Sequence, residues 1–289
     1  MGARVVESSL GPVEVMLSAG AGPVVLVFPG GHTTADTAIG TDLYSELGYR
    51  VLTFSRPGYG QTRVGNLGPA EFVNCALEVC ERLAVDDVAA CAGVSLGGLQ
   101  AAHVAVYAPS LAPRLILHSC APSALPYPDK RLERVGAPLL FGRRVQKHTW
   151  RAVRAIARTD RGLQTLMGAL SQAPTRTWWG DWTKADRESA RSTFAGMDSG
   201  SGFLLDLHHS SAVRSPHREA LLRRVACPTL VTASHADKGV SYAHAENFRR
   251  LIPRVTLVET GAPSHFYWLG SSRPVVLDAV RRHLNQKAM

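Results

Sequence analysis

A chain of 289 residues that is 45% hydrophobic and 19% charged can bury a sizeable core, which excludes a disordered tail or a disulfide-stapled miniprotein. No window approaches the roughly 18 consecutive apolar residues of a membrane span. The start MGARVVESSLGPVEV also lacks the apolar centre of a signal peptide, so no membrane span and a cytoplasmic location are expected. The net charge of +9 raises nucleic acid as a partner, but no zinc-finger spacing or RNA-recognition motif accompanies it, so no nucleic-acid partner is expected.

In chain order, RVVESSLGPVEVML predicts two short strands around a turn at Gly11 and Pro12. PVVLVFPGGHTTAD, from Pro23, is a continuous β-branched run that ends in Pro29, Gly30 and Gly31. A run apolar at every position belongs in the centre of a parallel sheet, covered on both faces. Thr34 to Leu47 has helical spacing, with Gly48 as its stop. YRVLTF, Tyr49 to Phe54, is the next strand and leads into the turn-rich SRPGYGQT. Pro69 to Leu83 is a helix with proline at its start.

VAACAGVSLGGLQAAHVAVYA follows, from Val88 to Ala108. An apolar strand ends in G-x-S-x-G, and a helix of small residues starts at once. A sharp turn of this kind presents the Ser95 hydroxyl alone at its tip. Gly93 and Gly97 stand where a Cβ would crowd the turn, and Gly98 lets helix and strand pack closely. PRLILHSCAP, Pro113 to Pro122, is a further strand. Strand–helix alternation to this point predicts an α/β fold with a mainly parallel sheet and right-handed crossovers.

After Pro122 the alternation breaks. Residues 123–224 carry no apolar β run and are expected to form a mostly helical insertion, a lid, between core segments 1–122 and 225–289. Arg143, Arg144, Lys147, Arg151, Arg154, Arg158 and Arg161 recur there at three- to four-residue spacing along one expected helical face. A solvated face is the plain reading, and steering of an anionic substrate is the functional one. Trp178, Trp179 and Trp182, with Phe203 and His208 or His209, are candidates to line an apolar pocket, against the plainer role of packing the lid on the core.

The sheet resumes with CPTLVTASHAD, then the helix Ser241 to Ile252, the strand RVTLVETG, the loop APSHFYWLG and a final amphipathic helix to about Leu284. The five cysteines are odd in number and scattered without a C-x-x-C pair. No disulfide framework, metal site or cofactor is expected, and Cys91 and Cys120 read as small core residues.

A serine on such a turn needs a base, a group to orient that base, and donors for an oxyanion. Asp237 and His265 each follow a strand directly, at the sheet edge where open α/β sheets build their sites. The chain order Ser95, Asp237, His265 fits the same scheme. Asp129 and Asp206 are weaker substitutes for the acid. His103, His118, His148, His208, His209, His217, His235 and His244 read as packed or exposed, or as placed on the wrong loop for the base.

VLVFPGG, FSRPGYGQT, GVSLGGL, CPTLVTASHADKGVS and IPRVTLVETGAPSHFYWLG, in this order over nearly the whole chain, resemble the α/β-hydrolase fold superfamily. The resemblance implies a central, mainly parallel sheet flanked by helices, with a helical lid inserted after the sixth strand. It implies Ser95 as nucleophile, His265 as base and later acid, and Asp237 as the carboxylate that holds the His265 tautomer. The oxyanion hole would use the backbone N–H of Leu96 and one from the loop after the third strand, Gly31 ahead of His32. One departure stands in that loop, because many relatives carry a histidine where this chain has Pro29, which has no N–H to give. His32 and Thr33 remain to brace it. His32 joins Trp178, Trp179 and Phe203 as an expected substrate contact.

The expected function is a cofactor-independent serine hydrolase cleaving an ester, thioester or lactone of a moderately apolar small molecule through an acyl-enzyme at Ser95. Ser95 disfavours the haloalkane dehalogenases and epoxide hydrolases, whose elbow carries aspartate. Alternatives with the same three residues are C–C bond hydrolysis beside a carbonyl, or acyl transfer or cyclisation. A catalytically silent binding protein of the same fold is a further alternative. The sequence is silent on oligomeric state.

Overall fold

The computed structural model describes residues 2–129, 136, 138–142 and 144–286. Its sheet is built from β1 (Arg4–Ser8), β2 (Gly11–Leu17), β3 (Val24–Phe28), β4 (Arg50–Phe54), β5 (Val88–Val94), β6 (Leu115–His118), β7 (Thr229–Ala233) and β8 (Val255–Glu259). The spatial order is β1-β2-β4-β3-β5-β6-β7-β8. β1 and β2 pair antiparallel, as do β2 and β4, and every later pairing is parallel. The α/β fold with a mainly parallel sheet is therefore present as expected.

β3 explains why the run VVLVF has no polar position. All five residues are buried, and the twofold alternation of a strand sends Leu26 and Phe28 to one face and Val25 and Val27 to the other. Leu26 and Phe28 pack with Phe72 and Val79 of α2 (Pro69–Arg82) and with Ala101 of α3 (Gly97–Tyr107). Val25 and Val27 join Tyr44 of α1 (Asp42–Glu46), Trp268, and Val276 of the final helix, Arg273–Asn285. Burying each such large side chain contributes about 1.5–3 kcal/mol, so both layers hold the sheet that presents the loops.

Between β6 and β7 the described residues are mostly helical. It forms α4 (Gln146–Ala157), α5 (Asp160–Ala169), α6 (Lys184–Gly196), α7 (Gly202–His209) and α8 (Ser215–Arg223), before α9 (Tyr242–Leu251) and α10 (Arg273–Asn285) return to the core. The insertion is anchored where it leaves the sheet. Arg218 is 3% exposed and donates to the carbonyls of Ser123, Ala124 and Leu125 on the outgoing segment and to those of His209 and Ser211 at the end of α7. Beside it, His244 Nδ1 accepts from the Ser123 N–H at 3.1 Å, and its Nε2 lies 2.7 Å from Asp129 Oδ1.

Three local expectations are corrected. The first turn falls at Ser9 and Leu10 rather than at Gly11 and Pro12, because Ser8 pairs with Gly11 and the Ser9 N–H and hydroxyl are held by Glu78 of α2. The helix expected over 34–47 shrinks to α1. Thr37 Oγ1 accepts the Thr34 N–H and Ser55 Oγ the Ala35 N–H, and these side-chain acceptors compete with helical bonding. Gly40 then sits at φ +79° against Trp268, in a space that no Cβ could enter. The basic stripe is not one helical face. Thr159 Oγ1 accepts from the Gly162 N–H at 3.1 Å and starts a new helix, so Arg161 lies on α5 while Arg151 and Arg154 lie on α4. Arg143 lies outside the described residues.

Candidate active site

The turn between β5 and α3 carries Ser95 at φ +52°, a left-handed conformation that a side chain tolerates only where its surroundings hold it. Its backbone is fixed on both sides. The Ser95 N–H donates to the His118 carbonyl at 3.0 Å, and its carbonyl accepts from Gly98 and Ala121 at 3.1 and 3.2 Å. The flanking glycines are sterically required. A Cβ on Gly93 would meet the backbone of Gly98, one on Gly97 the carbonyls of Phe28 and Pro29, and one on Gly98 the Cys120 side chain at 2.6 Å.

His265 and Asp237 are brought together from the loops after β8 and β7, with Nδ1 and Oδ2 2.8 Å apart. The carboxylate is 2% exposed, and its other oxygen accepts the backbone N–H groups of Gly239 and Val240 at 2.7 and 3.0 Å. Burial disfavours charge on the imidazole, yet the charge and hydrogen bond of Asp237 overcome it and raise the His265 pKa above its ordinary value. With Nδ1 facing the carboxylate, Nε2 is the free ring nitrogen. No hydrogen bond joins it to Ser95 Oγ among the described residues, and such bonds are often long in unliganded sites and tighten on binding. The Leu170 carbonyl, at the C-terminal end of α5, accepts both the Lys238 and the His265 N–H at 3.2 Å. Ser171 pairs with Asp237 in an isolated antiparallel bridge.

The loop after β3 lies against the serine. A Cβ on Gly30 would stand 3.0 Å from Ser95 Cβ, and one on Gly31 would stand 2.7 Å from the Leu96 side chain. The bracing that Pro29 cannot offer comes chiefly from Arg56. Its Nε donates to the Pro29 carbonyl at 2.8 Å and its Nη2 to the Gly30 carbonyl at 2.9 Å, and Thr33 Oγ1 also donates to Gly30 at 2.8 Å. Arg56 is paired in turn with Asp206 of α7, which accepts the Tyr59 hydroxyl at 2.5 Å. Burial disfavours the Arg56 charge, and Asp206 outweighs it and raises the pKa.

His32, at φ +65°, packs its ring between Phe203, Phe141 and Trp150, with centroids 4.1, 4.5 and 5.0 Å away. Its Nδ1 is 2.8 Å from Ser199 Oγ, which also accepts the Trp150 indole N–H. Burial first and Arg56 second push its pKa down to about 3, so the ring is neutral. Phe203 is grouped with Tyr59 and Leu96, next to the elbow. Trp178 and Trp179 are placed elsewhere, with Trp182 and Phe266 in the layer that packs the insertion on the core.

The weaker acid candidates are engaged elsewhere, Asp129 with His244 and Asp206 with Arg56. Neither Arg56 nor the linkage of Ser123 and Asp129 through His244 is expected from the sequence. The arginine stands inside FSRPGYGQT, but its partners Pro29, Gly30 and Asp206 lie far off in the chain. No cluster of three or more His, Cys, Asp or Glu suited to a metal occurs among the described residues.

The α/β-hydrolase fold family model matches residues 23–269. An uncharacterized hydrolase, YcgS, of Bacillus subtilis (strain 168) is 27% identical over 255 residues, 87% of each chain. Among solved structures, an α/β-hydrolase fold protein from Nakamurella multipartita has a TM-score of 0.72 at 20% identity, covering 97% of this chain and 99% of its own. The esterase RhEst1 from Rhodococcus sp. ECU1013 has a TM-score of 0.67 at 16% identity, covering 99% of each chain. At these identities the structural matches establish the fold.

Proposed function

Because the chain belongs to the α/β-hydrolase fold family, we propose that it is a serine hydrolase cleaving an ester, thioester or lactone of a moderately apolar small molecule through an acyl-enzyme at Ser95. The observation that carries the reading is the buried Asp237–His265 pair at 2.8 Å, together with a serine held at φ +52° beside the Gly30–Gly31 loop.

Ser95 Oγ attacks the substrate carbonyl carbon while its proton passes to His265 Nε2. Asp237 accepts the Nδ1–H and holds that tautomer. The N–H groups of Leu96 and Gly31 bind the oxyanion, and each such donor is worth about 3–4 kcal/mol in the transition state. Collapse breaks the bond to the leaving oxygen or sulfur, which takes the proton from His265. Water then enters by the same route, and its attack on the acyl carbonyl regenerates Ser95.

Residues 123–224 serve as a lid between the core segments 1–122 and 225–289. His32 and Phe203 form an apolar wall beside Leu96, which suits an apolar acyl or alcohol group. Trp178 and Trp179 act in packing the lid rather than in substrate contact. The esterase RhEst1 from Rhodococcus sp. ECU1013 has the same fold, and an esterase agrees with this reading.

The test is labelling by a fluorophosphonate and turnover of a p-nitrophenyl ester by the wild type, Ser95→Ala and His265→Ala. The wild type is expected to label and turn over. Ser95→Ala is expected to lose labelling and at least roughly 10³-fold in kcat. Turnover that survives in Ser95→Ala would move the chemistry to another residue.

A further inference from the structure

A cavity of about 830 Å³, lined in part by the elbow helix, lies within the size range of small-molecule sites. One wall is the face of α3 that carries Leu99, His103 and Tyr107, successive turns away from Leu96. Opposite stand the N-terminal turn of α2, Leu205 on α7, and α8. Ser95, Asp237 and His265 do not line it.

Its charge is one-sided. Arg214, Arg218 and Arg224 line the cavity, and none pairs with a carboxylate among the described residues. Arg214 donates to His208 Nε2 at 2.6 Å, and Arg224 donates to the Tyr107 hydroxyl at 3.3 Å while lying over its ring. Arg218 is buried and bonded to neutral oxygens, the five carbonyls at the insertion's root and Ser215 Oγ, and the charge that acts on it is the like charge of Arg214. The one acid in the lining, Glu71, is turned to the Gly68 N–H at 2.7 Å.

Two of the lining histidines, His209 and His103, are held neutral by burial, and His208 Nε2 faces Arg214. His209 is pushed down to about 4 by burial first and Arg214 second, and His103 to about 4 chiefly by burial. They supply neutral polar edges around an apolar floor of Leu99, Leu205 and Leu221. Uncompensated guanidinium groups above an apolar floor complement a ligand with an anionic head and a hydrocarbon body.

We propose that this cavity is a binding site, separate from the catalytic one, for an amphipathic small-molecule anion whose carboxylate or phosphate meets Arg214 and Arg224 while its apolar body lies on Leu99, Leu205 and Leu221. Because α7 and α8 form part of the wall, an occupant touches the elbow helix and the insertion at once. The two arginines reach the head by rotating from neutral partners, which they can leave without breaking an ion pair.

The test is calorimetric titration of the full chain with octanoate, octyl phosphate and the neutral octanamide. At least one anion is expected to bind saturably and at least tenfold more tightly than octanamide, and the tighter of the two anions identifies the head group. The Arg214→Gln/Arg224→Gln double variant is expected to weaken that anion at least tenfold. Ala220→Trp, at an exposed position on the cavity wall, should block it by filling space, and Ser95→Ala should leave it unchanged. The proposal is overturned if neither anion binds, if octanamide binds as tightly, if both wall variants bind like the wild type, or if Ser95→Ala abolishes binding.

Discussion

At the scale of single residues, the site combines groups that the order of the chain announces with groups that it does not. Ser95, Asp237 and His265 each follow a strand, and a strand's carboxyl end can be read from its apolar run. Residue type alone would have been a poor guide, because the structure holds a second Ser–His–Asp string, Ser123–His244–Asp129, whose serine is fully buried at the root of the insertion. Arg56 is not legible for a different reason. It acts by turning the Pro29 and Gly30 carbonyls toward itself, and no local pattern encodes a bond to backbone in a distant loop. The Asp237–His265 pair carries a prediction with a definite sign. In the proposed mechanism the imidazole must be neutral to accept the serine proton, and Asp237 raises its pKa, so activity is expected to fall as pH drops through a value above the ordinary 6.5. Asp237→Asn removes the raising partner and leaves burial, which lowers the pKa. A kcat/KM profile of that variant should show its acid limb shifted below 6.5, with kcat down on the order of 10³–10⁴-fold. An unmoved acid limb would mean that another group titrates.

At the scale of elements, β3 was legible because a strand covered on both faces favours an unbroken apolar run, and VVLVF is one. The stretch 34–47 misled because its spacing is helical while Thr37 and Ser55 capture the Thr34 and Ala35 N–H groups with their hydroxyls. Hydrophobic periodicity does not register that competition. The root of the insertion shows the same limit, since the five carbonyls gathered by Arg218 come from two segments that no spacing rule connects. Arg218→Met would keep much of the side-chain volume and leave those carbonyls without their donor. The expected loss is about 3–5 kcal/mol, read from urea unfolding of the full chain. A loss below about 1 kcal/mol would show that water or backbone rearrangement satisfies the carbonyls.

At the scale of the whole molecule, buried imidazoles set the response to acid. Burial, as the first cause in each case, pushes His32 and His118 down to about 3 and His103, His209 and His283 down to about 4. Between those values and the ordinary 6.5 the unfolded chain binds protons that the folded one refuses, so stability rises with pH across that window and is lost on acidification. His265, raised by Asp237, contributes in the opposite sense, and the depressed histidines outnumber it. The urea midpoint at pH 5 is therefore expected to lie below that at pH 7.5, and an equal or higher midpoint at pH 5 would contradict this. The Leu170 carbonyl, which receives N–H groups from both the acid loop and the base loop, bears on how such enzymes can be recombined. A graft that exchanges residues 123–224 for a relative's insertion removes the shared acceptor that sets the spacing of those loops, so the insertion is not an interchangeable cassette. Any transplant has to bring its own acceptor to that point, or the new host inherits two loops that nothing holds at their mutual spacing.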